Sequence, residues 1–139
     1  MDALPETLCE FAVPGPLRDQ LVCAVLAGEK TATSGLLADY EHEGEPLPRP
    51  GDRETVVDSD GRPVAVIEVT GCEVIALGDA DLALAIDEGE GFASVQEWRD
   101  AHERFWREES LPIIGLETLD DLTPIVVMRF RLVDLVRDA

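Results

Sequence analysis

The sequence predicts an α+β domain, a small mixed sheet or barrel with flanking helices. Three observations lead there. Strand patterns cluster in the middle of the chain and at its end. The helical patterns between them are too few and too short for a repeated βαβ unit. Neither a GxGxxG turn nor a P-loop appears, so a doubly wound nucleotide-binding sheet has no support. At 139 residues, the chain has the length of one domain, 1–139, with 1–15 read as an N-terminal extension.

Each element has a local reason. From Pro16 to Ala27 the apolar residues Leu17, Leu21, Ala24 and Val25 recur at helical spacing, with proline suited to the first turn and Gly28 to the stop. Thr33 is a candidate N-cap for a second short helix through Leu36, Leu37 and Tyr40. Glu43 to Asp52 holds Gly44, Pro46, Pro48, Pro50 and Gly51 and reads as a loop. Glu54–Asp58 and Pro63–Leu77 are rich in β-branched residues, and Ser59-Asp60-Gly61 between them reads as a hairpin turn. The second of these strands is apolar on both parities and is therefore expected at the centre of the sheet. Asp79 or Asp81 caps a helix over Leu82–Glu88, which Gly89 and Gly91 end. Ser94-Val95-Gln96-Glu97 has the form of a capping box, opening a helix with Trp98, His102 and Phe105 on one inward face. Pro124–Val136 alternates as a closing strand.

Composition narrows the function. Eleven basic residues against thirty acidic ones leave a net charge of −19, which repels duplex DNA, whose binding rests on neutralising phosphates. The first residues lack the charged and apolar regions of a signal peptide, and no apolar run approaches the roughly 18 residues of a membrane span. Three widely spaced cysteines without a CxxC fit neither a disulfide framework nor a zinc site. The expectation is a cytoplasmic protein with no membrane contact, no cofactor and no metal. The oligomeric state is left open, a homodimer included.

Ten of the basic residues are arginine and one is lysine, Lys30. It stands in Gly28-Glu29-Lys30-Thr31-Ala32-Thr33-Ser34, the densest polar cluster of an otherwise apolar stretch. A desolvated lysine can lose its proton and serve as base or nucleophile, which arginine cannot. The alternative is an exposed cation at the preceding helix C-terminus. A helix start at Thr33 would favour an anion there. Glu68 lies in a strand expected to be central, either as a functional carboxylate or paired with Arg129 or Arg131. Asp87 and Glu88 fall at a helix end, where the dipole disfavours negative charge unless something compensates it. Tyr40, the single tyrosine, is beside a loop where an aromatic can stack on a base at about 1–3 kcal/mol. Trp98 and His102 read as core, the histidine hydrogen-bonded.

Gly28-Glu29-Lys30-Thr31-Ala32-Thr33 is similar to the G-x-K-x-x-T signature of the ASCH domain, a PUA-like family linked to RNA metabolism. Pro50-Gly51-Asp52, the Asp60-Gly61 turn, Ile67-Glu68-Val69-Thr70, Glu88-Gly89-Glu90-Gly91 and Ser94…Trp98-Arg99…His102…Phe105 follow in the order of a bacterial single-domain branch. The resemblance runs from about Leu17 to Val133 and implies a PUA-like small mixed β-barrel. Some members resemble RNA-binding modules, one group is an amidohydrolase acting on acetylcytidine, and another is a ribonuclease. Carried over by position, the amidohydrolase implies Lys30 and Thr33 as catalytic residues, with Glu88 as the glutamate and Glu90 next. Lys30 would take a proton from Thr33 or its water. Glu88 would position water or donate a proton, the latter requiring a raised pKa. Ser34, Tyr40, Glu68 and Glu90 would contact the ligand, a small nucleoside or an RNA end. An arginine often found two residues after the threonine is Gly35 here, which counts against polynucleotide contact. Arg49, Arg53, Arg129 and Arg131 are the only sources of a basic groove for a ribonuclease.

Overall fold

In a computed structural model of the chain, residues 3–115 and 118–136 are described. The strands are β1 (Leu8–Cys9), β2 (Ala32–Leu36), β3 (Arg53–Val57), β4 (Pro63–Ala76) and β5 (Pro124–Leu135). They form one mixed sheet in the order β1-β3-β4-β5-β2. The β1–β3 pair is parallel and the other pairs are antiparallel. The expected central strand is β4, flanked by β3 and β5. The expected barrel is an open sheet, because β1 and β2 remain its two edges. With two residues, β1 is too short to bridge the gap.

The hairpin between β3 and β4 is set by Asp58, whose Oδ1 accepts from the amides of Asp60 and Arg62 at 2.9 Å each. Helices α1 (Pro16–Leu26), α2 (Leu37–Glu43), α3 (Leu82–Asp87), α4 (Val95–Glu109) and α5 (Leu111–Ile114) pack around the sheet. Asp81 is the α3 cap, accepting from the Leu84 amide at 2.9 Å. Ser94 caps α4 through the Glu97 amide at 3.1 Å, while the Glu97 carboxylate accepts from the Ala93 amide, one residue before the expected box partner.

Three elements differ from the sequence reading. Thr33 is not a helix cap: it lies inside β2, opposite Met128 of β5, and α2 starts only at Leu37. A five-residue edge strand with Ser and Gly inside it carries little β pattern of its own. Pairing with β5 decides it. Leu8–Cys9, placed in the N-terminal extension, forms β1, and Phe11 behind it is 4% exposed within the core. The short α5 falls in a stretch read as irregular.

Two apolar clusters hold the layers together. Leu21, Val22 and Val25 of α1 pack with Phe11, Ile67, Val69, Met128 and Phe130 on one side. Leu84, Trp98, Trp106 and Leu111 pack with Ala32, Leu36, Ile125 and Val127 on the other. Along β5 the odd positions Ile125 and Val127 join the second cluster and the even positions Met128 and Phe130 the first, as the two-residue side-chain period of a strand requires.

Candidate functional site

Lys30 is delivered to its place by backbone turns. Gly28 adopts φ 77°, a conformation glycine reaches without a Cβ penalty, and the amides of Glu29 and Lys30 then both return to Ala24 O at 2.9 and 3.1 Å. The next amide, Thr31, donates to Asp87 O at 2.8 Å. Lys30 thus sits between the C-terminal ends of α1 and α3, where a cation is favoured. On the facing segment Gly89 has φ +73°, and a Cβ there would lie 2.8 Å from Glu29 O, Lys30 Cα and Lys30 N. Only glycine allows the two segments this close.

Lys30 is 2% exposed. Its Nζ donates to Ala32 O at 2.8 Å, Glu88 O at 3.2 Å and Glu88 Oε1 at 3.5 Å. Three N–H groups therefore meet three acceptors. The side chain is desolvated, as the sequence suggests, but the lone pair a base would need has no free direction. Lys30 is placed to donate hydrogen bonds rather than to take a proton.

Glu88, 1% exposed, is the hub. Its Oε2 accepts from Trp98 Nε1 at 2.5 Å and Ser34 Oγ at 2.7 Å. Its Oε1 lies 3.5 Å from Lys30 Nζ and 3.2 Å from His102 Nε2. A carboxylate has about four lone-pair sites, and all are engaged. Burial alone would raise its pKa; the hydrogen bond and charge of His102, the charge of Lys30 and the Ser34 hydroxyl overcome it and hold the group at about 2. The raised pKa needed for proton donation is thus absent from Glu88.

His102 completes the arrangement. Its Nδ1 is 2.8 Å from Trp98 O and its Nε2 faces Glu88 Oε1 at 3.2 Å and Glu90 Oε2 at 3.9 Å. Both ring nitrogens face acceptors, so the imidazolium is the form that satisfies both. Burial works against that charge, but the Glu88 hydrogen bond and charge, the Trp98 carbonyl and Glu90 raise the pKa. The ring stacks on Trp98, with centroids 4.4 Å apart and planes at 24°. Glu90 is half-buried, and its pKa is raised, first by burial and also by the charge of Glu88, against the pull of His102 and Lys30.

Lys30, Thr33, Ser34, Tyr40, Glu88 and Glu90 all line one cleft of about 930 Å³. The Thr33 hydroxyl makes no hydrogen bond among the described residues, and burial pushes the Tyr40 phenol pKa up. Glu68 is elsewhere. It is paired with Arg53 Nε at 3.2 Å and Arg131 Nη2 at 2.9 Å on the exposed side of the sheet, and hydrogen bonds from these guanidiniums lower its pKa. Its neighbours in sequence are apolar, but its own parity faces outward. Arg129 pairs with Asp87 at 2.7 Å, which compensates the carboxylate at the end of α3. Three of the four arginines available to a basic groove are thus held by carboxylates.

Sequence reasoning placed Trp98 and His102 in the core and missed their part in the site. Their i, i+4 spacing on α4 was visible; that Glu88 stands opposite them was not. Glu88, Glu90 and His102 bring ligand atoms within 4.8 Å of one another. A cation there would compete with the four donors on Glu88 and lie beside the Lys30 ammonium.

A family model described as "ASCH domain" matches residues 8–134. Protein EF3133 from Enterococcus faecalis V583, of family DUF984, is 28% identical with a TM-score of 0.84, over 97% of this chain and 80% of that one. An ASCH domain from Lactobacillus crispatus JV V101 is 29% identical with a TM-score of 0.75, over 94% and 79%. Hypothetical protein PH0355, at 18% identity and a TM-score of 0.51 over 81% and 90%, shares the fold. No curated protein matches the chain. With the match spanning nearly its whole length and these structural neighbours, the chain belongs to the ASCH domain family, with an α+β, PUA-like fold.

Proposed function

We propose that the protein hydrolyses an amide on a small nucleoside-like molecule, such as an acylated cytidine. The observation that carries this reading is the buried Lys30–Glu88 pair in the wall of the same cleft as the unpartnered Thr33 hydroxyl. Desolvated charge beside a free hydroxyl is the equipment of acyl transfer. Thr33 holds the attacking water. The longest Lys30 contact, 3.5 Å to Glu88 Oε1, is the one most easily redirected toward the negative charge that develops on the acyl oxygen. Tyr40 stacks on the base. Polynucleotide substrates fit poorly, because Arg53, Arg129 and Arg131 are all paired with carboxylates.

The test is release of cytidine from N-acyl cytidine by the purified protein. Turnover is expected in the wild type and lost in Thr33→Val, whose partly exposed site tolerates the change, and in Lys30→Ala. No product from the wild type overturns the reading. Thermal stabilisation by acyl-cytidine without product would support a non-catalytic binding module, which the complete saturation of Glu88 also suits.

A further inference from the structure

Glu88 and Glu90 are separated by one glycine, and the fold gives them opposite surroundings. Glu88 is buried with all four acceptor positions taken by Trp98, Ser34, Lys30 and His102. It can accept no further hydrogen bond, and Trp98, Ser34 and His102 hold it in place while the longest contact, 3.5 Å to Lys30 Nζ, is the one that can be redirected. Glu90 is half-buried, lines the cleft and has one charged neighbour at the limit of ion-pair range, His102 at 3.9 Å. Its other oxygen has no protein partner among the described residues.

We propose that the two glutamates divide the work: Glu88 is a fixed acceptor that orients Lys30 and His102, and Glu90 carries the proton to and from the ligand. The proposal rests on the hydrolytic reading above. Glu90 takes a proton from the attacking water as the water oxygen bonds the acyl carbon. It returns that proton to the nitrogen as the carbon–nitrogen bond breaks, giving a carboxylic acid and the free amine. A carboxyl whose pKa is raised toward working pH suits both halves of that exchange, and a pair of carboxyls whose surroundings push them apart separates proton carrier from fixed charge. Lys30, His102 and Glu88 act on Glu90 from the segment before β2, from α4 and from the C-terminal end of α3. Glu54, Tyr40, Arg104 and Glu108 share the cleft with it.

Two measurements test this separately from the reaction itself. Glu90→Gln is expected to lower kcat about a hundredfold or more with unchanged affinity for cytidine and a thermal stability at neutral pH no lower than that of the wild type, because an ionised Glu90 disfavours the folded state. Glu90→Asp is expected to restore part of the rate with a shifted pH profile. A Glu90→Gln variant with wild-type kcat overturns the proposal while leaving amide hydrolysis standing. If the wild type shows no turnover, the hydrolytic reading and the proton-carrying role of Glu90 fail together; where turnover is seen, carboxyl-carbon NMR reads the separation of the two glutamates independently of rate. Glu90 is expected to titrate above the ordinary value of 4.5 and Glu88 well below it. Two carboxyls titrating together overturn the proposal.

Discussion

Lys30 Nζ and Glu88 Oε1 form an ion pair at 3.5 Å with both side chains 1% exposed. The single lysine of a chain with net charge −19 is thus spent in the interior. Its role there is to balance a carboxylate that also holds Trp98, Ser34 and His102.

Removing the hub carboxylate leaves Lys30 and His102 buried without their counter-charge. Breaking a buried pair from one side costs about 3–5 kcal/mol. Glu88→Ala is expected to lose that much in urea denaturation, and the double variant Lys30→Met/Glu88→Ala less than the sum of its single changes. Full additivity would show that the two groups are not coupled.

The same cluster sets a pH window. Glu88 is held below its ordinary value of 4.5, at about 2, so its contribution is complete above 4.5 and is lost as pH falls toward 2. His102 is raised above its ordinary 6.5, so its contribution is complete below 6.5 and is lost as pH rises through the folded value. Glu90, also raised, favours the folded state less as it ionises above 4.5. Denaturation midpoints measured against pH are expected to be highest between about 4.5 and 6.5. His102→Gln is expected to flatten the alkaline side.

Gly89 and Gly91 both have positive φ, but their surroundings differ. A Cβ on Gly89 meets the Glu29–Lys30 backbone at 2.8 Å, whereas one on Gly91 meets nothing within 4 Å. Gly91→Ala should show the conformational cost alone, about 1–2 kcal/mol. Gly89→Ala should exceed it clearly and weaken cytidine binding, because Lys30 must move. Equal losses in a melting assay would contradict the close approach.

Glu68 offers the contrasting case. Its partners Arg53 and Arg131 are more than half exposed, and exposed pairs contribute little. Glu68→Gln is expected to leave kcat, KM and the melting temperature at wild-type values. A loss of activity would place Glu68 in the site after all.

Much of this architecture was legible. The Pro16 start and Gly28 stop of α1, the Asp58–Gly61 turn, the Asp81 and Ser94 caps and the alternation of β5 are local signals, each confined to a few residues. They sufficed for α+β and for a central β4. That the motif residues Lys30, Thr33 and Ser34 would share a cleft with Glu88 and Glu90 was also legible, the last two through the family resemblance. Where the sequence reading failed, local and long-range preferences diverged. Thr33 has the chemistry of a cap but is paired into a strand by β5. Glu68 has the neighbours of a buried residue but the parity of an exposed one.

By itself, then, the sequence determined the family, most of the helices and the long strands, and six of the residues that line the cleft, because caps, turns and motif spacing act within a few positions of the chain. Only the tertiary structure decided what those residues can do. The contacts that ionise Glu88 join it to His102, Ser34 and Lys30 across 14, 54 and 58 positions. No local pattern reports whether a carboxylate will meet four donors or one. That difference, created when α4 packs over the end of α3, separates Glu88 from Glu90.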